Sequence, residues 1–158
     1  MKIPVVIQMQ PGENGAAALC MMLAYNKRFV PLEEMREKCV SSRNGSSPEQ
    51  IVKAAAGYGL DGKIEKLAIE DFPKRGYPIL VHWKRRYYAI VKSIRKNLVT
   101  IVDPAKGEYR MTLDKFRSVY KGTAILFEKN VYFSPGGKRE SLFYLIKDRL
   151  RFLKRAMI

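Results

Sequence analysis

Gln8-Met-Gln-Pro-Gly12-Glu-Asn14-Gly-Ala-Ala-Ala-Leu-Cys20-Met-Met-Leu-Ala-Tyr25 is the stretch that decides the fold. Gly12 makes a tight turn, and Asn14 is a good helix N-cap because its side-chain oxygen can accept an orphan backbone N–H. Small residues at 15–18 and an apolar run after them predict a helix over 14–25. A helix N-terminus carries unpaired N–H groups and positive partial charge, the setting that favours a thiolate. That place holds Asn14, whose amide cannot attack a carbonyl. Gln8, six residues earlier, can turn a side-chain amide toward an oxyanion beside the helix start.

Outward from this helix, Val5 and its neighbours at 3–7 read as a short strand. Pro31 starts a second helix to Cys39, with Glu33 and Glu34 in its acidic first turn. Residues 41–47 are a loop, and Ser47 caps a third helix with Pro48 at its first position, stopping near Gly57 or Gly59. The period then changes. Residues 77–83, 87–94 and 98–102 predict three strands, with Lys84-Arg85-Arg86 and Arg95-Lys96-Asn97 at the turns. Asp103-Pro104-Ala-Lys-Gly107 turns into a short strand at 108–111. Thr112 caps a helix over 113–120, and 123–128 is a last strand. Helices followed by antiparallel strands define an α+β domain over 1–129.

Residues 130–137, with Pro135-Gly136-Gly137, read as a linker. Residues 138–158 read as a basic amphipathic helix. Leu142, Leu145, Ile146, Leu150 and Leu153 form one side; Lys147, Arg149, Arg151, Lys154 and Arg155 form the other. Such a helix suits an anionic membrane surface. The chain ends on Ala-Met-Ile as if cut from something longer.

The net charge of +15 is uneven: residues 1–80 hold 11 Lys/Arg against 9 Asp/Glu, whereas residues 81–158 hold 19 against 6. A basic half seeks an anionic partner. Nucleic acid is disfavoured, for there is no reading helix and no aromatic-basic platform. Two cysteines and one histidine make neither a disulfide framework nor a metal site, and the environment is expected to be reducing and cytoplasmic.

A cysteine peptidase needs a nucleophile, an imidazole base, a group orienting that base and an oxyanion donor. Gln8 supplies the last, and Asp103, ending a strand before Pro104, is placed to orient an imidazole. The strand that should carry the base reads Tyr87-Tyr88-Ala-Ile-Val and has no histidine. The pair Cys20 and His82 is no substitute. Cys20 lies inside the helix, away from its positive end, and both residues read as structural.

Several motifs in order now carry a resemblance: Gln8-Met9, Glu13-Asn14-Gly-Ala-Ala-Ala-Leu19, Val30-Pro-Leu-Glu-Glu-Met-Arg36, Ser42-Arg-Asn-Gly-Ser-Ser47, Ala54-Ala-Ala-Gly-Tyr-Gly-Leu60, Pro78 through Val91, and Asp103-Pro-Ala-Lys-Gly107. Over roughly residues 5–128 the chain resembles the N-terminal peptidase domain of bacteriocin-exporting ABC transporters that cut double-glycine leaders. The resemblance implies a papain-like fold, with a helical N-terminal lobe packed on an antiparallel sheet lobe. The family's catalytic Cys falls on Asn14 and its His on Tyr87, while Gln8 and Asp103 are retained. No peptidase activity is therefore expected.

The implied role is leader or cargo binding without cleavage. Met9, Trp83 and Tyr87 would flank the former site, where Tyr87 could instead plug the channel; Ile51, Ala55 and Tyr58 would line an apolar groove, with helix core an equally good role for Ile51 and Ala55. The alternative is an assembly or regulatory domain that docks on the transporter or on a peptidase-bearing partner subunit. Lys147, Arg151, Lys154 and Arg155 would meet the membrane surface, at the cytoplasmic face of a bacterial plasma membrane. No cofactor is expected here, since ATP would bind a nucleotide-binding domain absent from this chain.

Overall fold

A computed structural model describes residues 2–39, 45–83 and 87–137. The expected features at Lys84-Arg85-Arg86, in residues 40–44 and throughout 138–158, including the amphipathic helix, lie outside the described residues.

The first helix, α1 (Asn14–Tyr25), is buried over Asn14 to Ala24. A helix apolar on every side belongs inside a core. Asn14 itself is not the cap: it is the first helical residue (φ −54°, ψ −48°), and Glu13 takes the cap position. The following elements are α2 (Leu32–Lys38), α3 (Pro48–Ala56), β1 (Leu60–Lys66), a short α4 (Phe72–Arg75), β2 (Ile79–Trp83), β3 (Tyr87–Arg95), β4 (Leu98–Asp103), β5 (Gly107–Thr112), α5 (Leu113–Val119) and β6 (Tyr120–Lys129). Pro31 is the cap residue of α2 rather than its first turn. The Ser47 cap is as expected, and Gln50 completes a capping box by bonding back to Ser47 N at 2.8 Å.

The strands form one antiparallel six-stranded sheet in the order β1-β6-β2-β3-β4-β5. Each face carries its own core. Leu80, Tyr88, Ile90, Val102 and Ile125 pack with α1, α2 and α3 on one side. Ile79, Val81, Trp83, Ala89, Val91 and Ile101 pack with Phe72 of α4 and Phe116 of α5 on the other. The α1 side is close-fitting: a Cβ on Gly15 would stand 2.8 Å from Ile51 Cδ1 and 3.2 Å from a Tyr88 ring carbon. Gly15 therefore lets α1 approach β3.

Two expectations need correction. Residues 3–7 form no strand: they are extended and pair with no neighbour, with Ile3 buried and Val5 and Ile7 exposed. β1 was absent from the sequence reading, because Leu-Asp-Gly-Lys-Ile-Glu-Lys shows little apolar character and owes its pairing to β6.

Residues 130–137 lie along the domain surface. Phe133 packs on the α1-side core, Phe29 N donates to Gly136 O at 2.7 Å, and Gly136 N donates to Lys27 O at 3.0 Å. Gly137 has φ +82°, and a Cβ there would meet Phe29 O at 2.0 Å. Only glycine fits that seat.

Candidate functional site

The segment before α1 is held in two places. Gln8 N donates to Pro104 O at 2.8 Å, which docks it on the turn after β4. The Glu13 carboxylate accepts the backbone N–H groups of Met9 at 2.9 Å and Gln10 at 3.2 Å. Asn14 then faces both lobes. Its Oδ1 accepts the backbone N–H of Tyr88, and its Nδ2 donates to Gln8 Oε1 at 3.0 Å. The orientation follows from chemistry. A backbone N–H can only donate, so the atom facing it must be oxygen; the Asn14 nitrogen then faces Gln8 and requires an oxygen there. Gln8 is left with its Nε2 as the donor for anything else in the cleft.

The N–H that Asn14 accepts belongs to the peptide joining Tyr87 to Tyr88, so position 87 adjoins position 14. Strand alternation sends the two side chains to opposite faces. Tyr88 enters the α1-side core, stacks on His82 (4.7 Å, 23°) and donates its hydroxyl to Ser46 O at 2.7 Å. Tyr87 is 46% exposed. Asp103 lies one residue past the Ile90–Val102 pair and pairs with Gly107 of β5, and Pro104 after it receives Gln8 N. Its carboxylate accepts Ala105 N at 2.7 Å and stands 3.5 Å from the Tyr109 hydroxyl. Burial, with the negative charge of Asp103 second, pushes the Tyr109 phenol up to about 12. Gln8 thus lies beside both Asn14, which reaches the start of β3, and the Pro104 turn that follows Asp103.

The peptide-contact residues divide. Met9 is 72% exposed, and Tyr87 is also at the surface. Ile51 and Ala55 do not line a groove: both are wholly buried, because the inner face of α3 packs on α1 and the sheet. Trp83 is likewise corrected to a core residue, packed beside Phe116 on the α5 side of the sheet. Tyr58 is half-buried with the Arg28 guanidinium 5.8 Å over its ring. Burial, then the neighbouring Glu34, raises its phenol to about 12.

The two cysteines sit away from the head of α1. Both are free and buried, and burial pushes each thiol up to about 12, with Cys39 and Glu34 adding to the effect at Cys20. A reactive cysteine needs the opposite shift. The sequence reading missed Tyr88, whose contribution is a backbone N–H and leaves no residue-type signal. It also passed over Glu13 and Arg36, whose ion pair (Oε1 to Nε, 2.5 Å) joins the segment before α1 to α2.

Residues 2–132 match the model of the Peptidase C39 family, and the chain belongs to that family. Among solved structures it is similar to a double-glycine-motif protease from an AMS/PCAT transporter in complex with its leader peptide: 37% identity, TM-score 0.78, covering 82% of this chain and 93% of that one. The peptidase domain of Streptococcus ComA, a bifunctional ABC transporter of a quorum-sensing pathway, shares the fold at 23% identity and TM-score 0.77, covering 82% of this chain and all of that one. The lactococcin-G-processing and transport ATP-binding protein LagD of Lactococcus lactis is 24% identical over 94% of this chain, which spans only 23% of that transporter. The mixed helix-and-sheet architecture is the papain-like fold of C39 peptidase domains.

Proposed function

We propose that this chain is a non-catalytic peptidase-like domain of a peptide-exporting ABC transporter, which binds a double-glycine leader or its cargo without cutting it. The observation that carries the reading is Asn14. The residue at the head of α1 is a carboxamide with both polar atoms engaged, to Tyr88 N and Gln8 Oε1. A carboxamide supplies no lone pair of thiolate strength, and Tyr87, a phenol, replaces the imidazole that would shuttle the proton. Gln8 still offers donors to a peptide carbonyl, and Met9 and Tyr87 offer apolar surface beside it.

The similarity to a protease solved with its leader peptide supports the ligand class. The other partners would be the rest of the transporter, including its ATP-binding domain, and a peptidase-bearing subunit able to do the cutting. The reading puts the domain at the cytoplasmic face of the membrane, with Lys147, Arg151, Lys154 and Arg155 against anionic lipid. Among the described residues no helix is long and apolar enough to cross a membrane.

The test is calorimetric titration of the full chain with a synthetic double-glycine leader, followed by mass spectrometry of the mixture. Binding with an intact leader is expected. A cut leader overturns the non-catalytic reading; no heat at millimolar peptide turns the reading to assembly. In vesicle co-sedimentation, removal of residues 138–158 should abolish binding to anionic lipid, and unchanged binding would remove the membrane role of that segment.

A further inference from the structure

Gln8 is the retained donor of the former oxyanion site, and behind it sits a buried acid that the proposed function does not use. Glu13 is 1% exposed, although a carboxylate belongs in water unless it is paired. Its two backbone partners lie on the segment that carries Gln8, and its cation comes from α2. One oxygen takes two successive backbone N–H groups, those of Met9 and Gln10, and the other meets Arg36 Nε at 2.5 Å. Successive N–H groups converging on one acceptor fix the backbone dihedrals between them. The residue just before that fixed pair is Gln8, whose own N–H is already committed to Pro104 O. The chain at Gln8 is therefore held from both sides: the turn after β4 grips its backbone and Glu13 sets the direction of the next two residues.

The same carboxylate also closes a capping box on the short 3-10 turn Pro11–Glu13. Capping alone needs no cation. Arg36 comes from another helix, α2, and only 2% of the Glu13 side chain is exposed at that ion pair. Movement of α2 would therefore be felt at residues 9 and 10, and through them at the Gln8 amide.

We infer that Glu13, clamped by Arg36, is a positioning residue that aims the Gln8 carboxamide into the cleft and couples that aim to the placement of α2. The inference rests on the reading that the cleft takes a peptide carbonyl. Its ligand is accordingly the backbone of the glycine pair, where no side chain blocks approach to Gln8.

The experiment uses the full chain, 15N-labelled, as Glu13→Gln, Arg36→Ala, Arg36→Lys and Gln8→Ala. The readouts are the Gln8 side-chain NH2 resonances, the Kd for a synthetic double-glycine leader and the urea midpoint. Arg36→Ala leaves the buried Glu13 without its cation, whereas Arg36→Lys keeps one beside it, so the urea midpoint first establishes which variants are folded and only those are compared. The expectation is that Glu13→Gln and Arg36→Ala shift and broaden the Gln8 side-chain resonances and raise the Kd about tenfold, whereas Arg36→Lys restores both in large part. Gln8 resonances that stay in place in a folded Arg36→Ala protein overturn the positioning role. So does a loss of urea stability in Arg36→Ala with leader affinity unchanged while Gln8→Ala weakens it. If Gln8→Ala leaves the Kd unaltered, the peptide reading of the cleft fails, and the resonance shifts alone decide whether Glu13 aims Gln8.

Discussion

Asn14→Ala isolates what the residue in the nucleophile's place does for the fold. Asn14 is 3% exposed and bridges the two lobes, with Tyr88 N on the sheet side and Gln8 Oε1 on the segment before α1. Removing the oxygen takes away the acceptor that a buried N–H uses, a loss of about 1–3 kcal/mol. Losing the part-buried bond to Gln8 adds about 0.5–1.5 kcal/mol. The sum, about 1.5–4.5 kcal/mol, is a large part of the ~5–15 kcal/mol by which domains are stable. At roughly 2–4 °C per kcal/mol for a chain of this size, Tm should fall by roughly 3–18 °C. The assay is urea unfolding with thermal melts alongside, the urea slope being the check that the transition stays two-state. Asn14→Asp should lose less, since a carboxylate still accepts from Tyr88 and Gln8 can rotate its amide to donate. Asn14→Cys should fall between, because sulfur is a weak acceptor. An Asn14→Ala protein melting within about 2 °C of the parent, at unchanged slope, would refute the bridging role, since that change corresponds to no more than one weak surface interaction.

Further expectations follow from the same geometry. Asn14→Cys combined with Tyr87→His should acquire slow cleavage of a double-glycine leader, visible by mass spectrometry and abolished by Gln8→Ala, while each single variant stays silent; cleavage by the parent would contradict it. Truncation after Lys129 removes Phe133 from the α1-side core and the bonds of Phe29 to Gly136, so it should cost about 2–3 kcal/mol in urea unfolding, of the order of one buried large side chain. Gly137→Ala should strip hydrogen-exchange protection from the Phe29 amide, because its Cβ would stand 2.0 Å from Phe29 O. Alkaline stability should fall. Both thiols are raised from 9.0 to about 12 in the folded chain, so their contribution is complete below about pH 9 and is lost as pH rises toward 12. The slope approaches about 1.4 kcal/mol per pH unit for each thiol. Replacing both cysteines by alanine should flatten that limb of the pH profile.

Much of the fold was legible because its signals are local. Asn14 to Tyr25 is a continuous small-and-apolar run, Ser47-Pro48 with Gln50 is a helix start written in three residues, and Thr112 caps α5 as expected, accepting from Lys115 N at 3.2 Å. β1 was illegible because a polar strand at a sheet edge exists through its partner: Lys63 pairs with Leu126 and Glu65 with Ala124 of β6. Residues 3–7 failed in the reverse sense, being strand-like in composition yet without a neighbouring strand. Gln8, Asn14 and Asp103 stand out in the sequence because spacing around a helix start and a strand end marks them. Burial was harder to read. Ile51 and Ala55 suit a groove or a helix core equally, and Trp83 suits the flank of the former site; the packing of α3 on α1 and of Phe116 beside Trp83 makes all three core.

The retained members of the old constellation are weaker evidence for chemistry than the replaced ones. Asp103 would be kept without any imidazole to orient: its carboxylate folds the turn through Ala105 N and holds Tyr109. Gln8 would be kept as the acceptor for Asn14 Nδ2. Asn14 makes more strongly the two bonds a cysteine could make only weakly, since its amide both accepts from Tyr88 N and donates to Gln8. A reactive thiol would leave the buried N–H poorly met, an instability that catalysis can justify and binding cannot. Once cleavage is relinquished, exchanging sulfur for a carboxamide gains stability at the seam between the lobes. The amide at 14 is then part of what holds the two lobes together, and the stability of Asn14→Cys relative to the parent measures how much that seam gains from a carboxamide in place of sulfur.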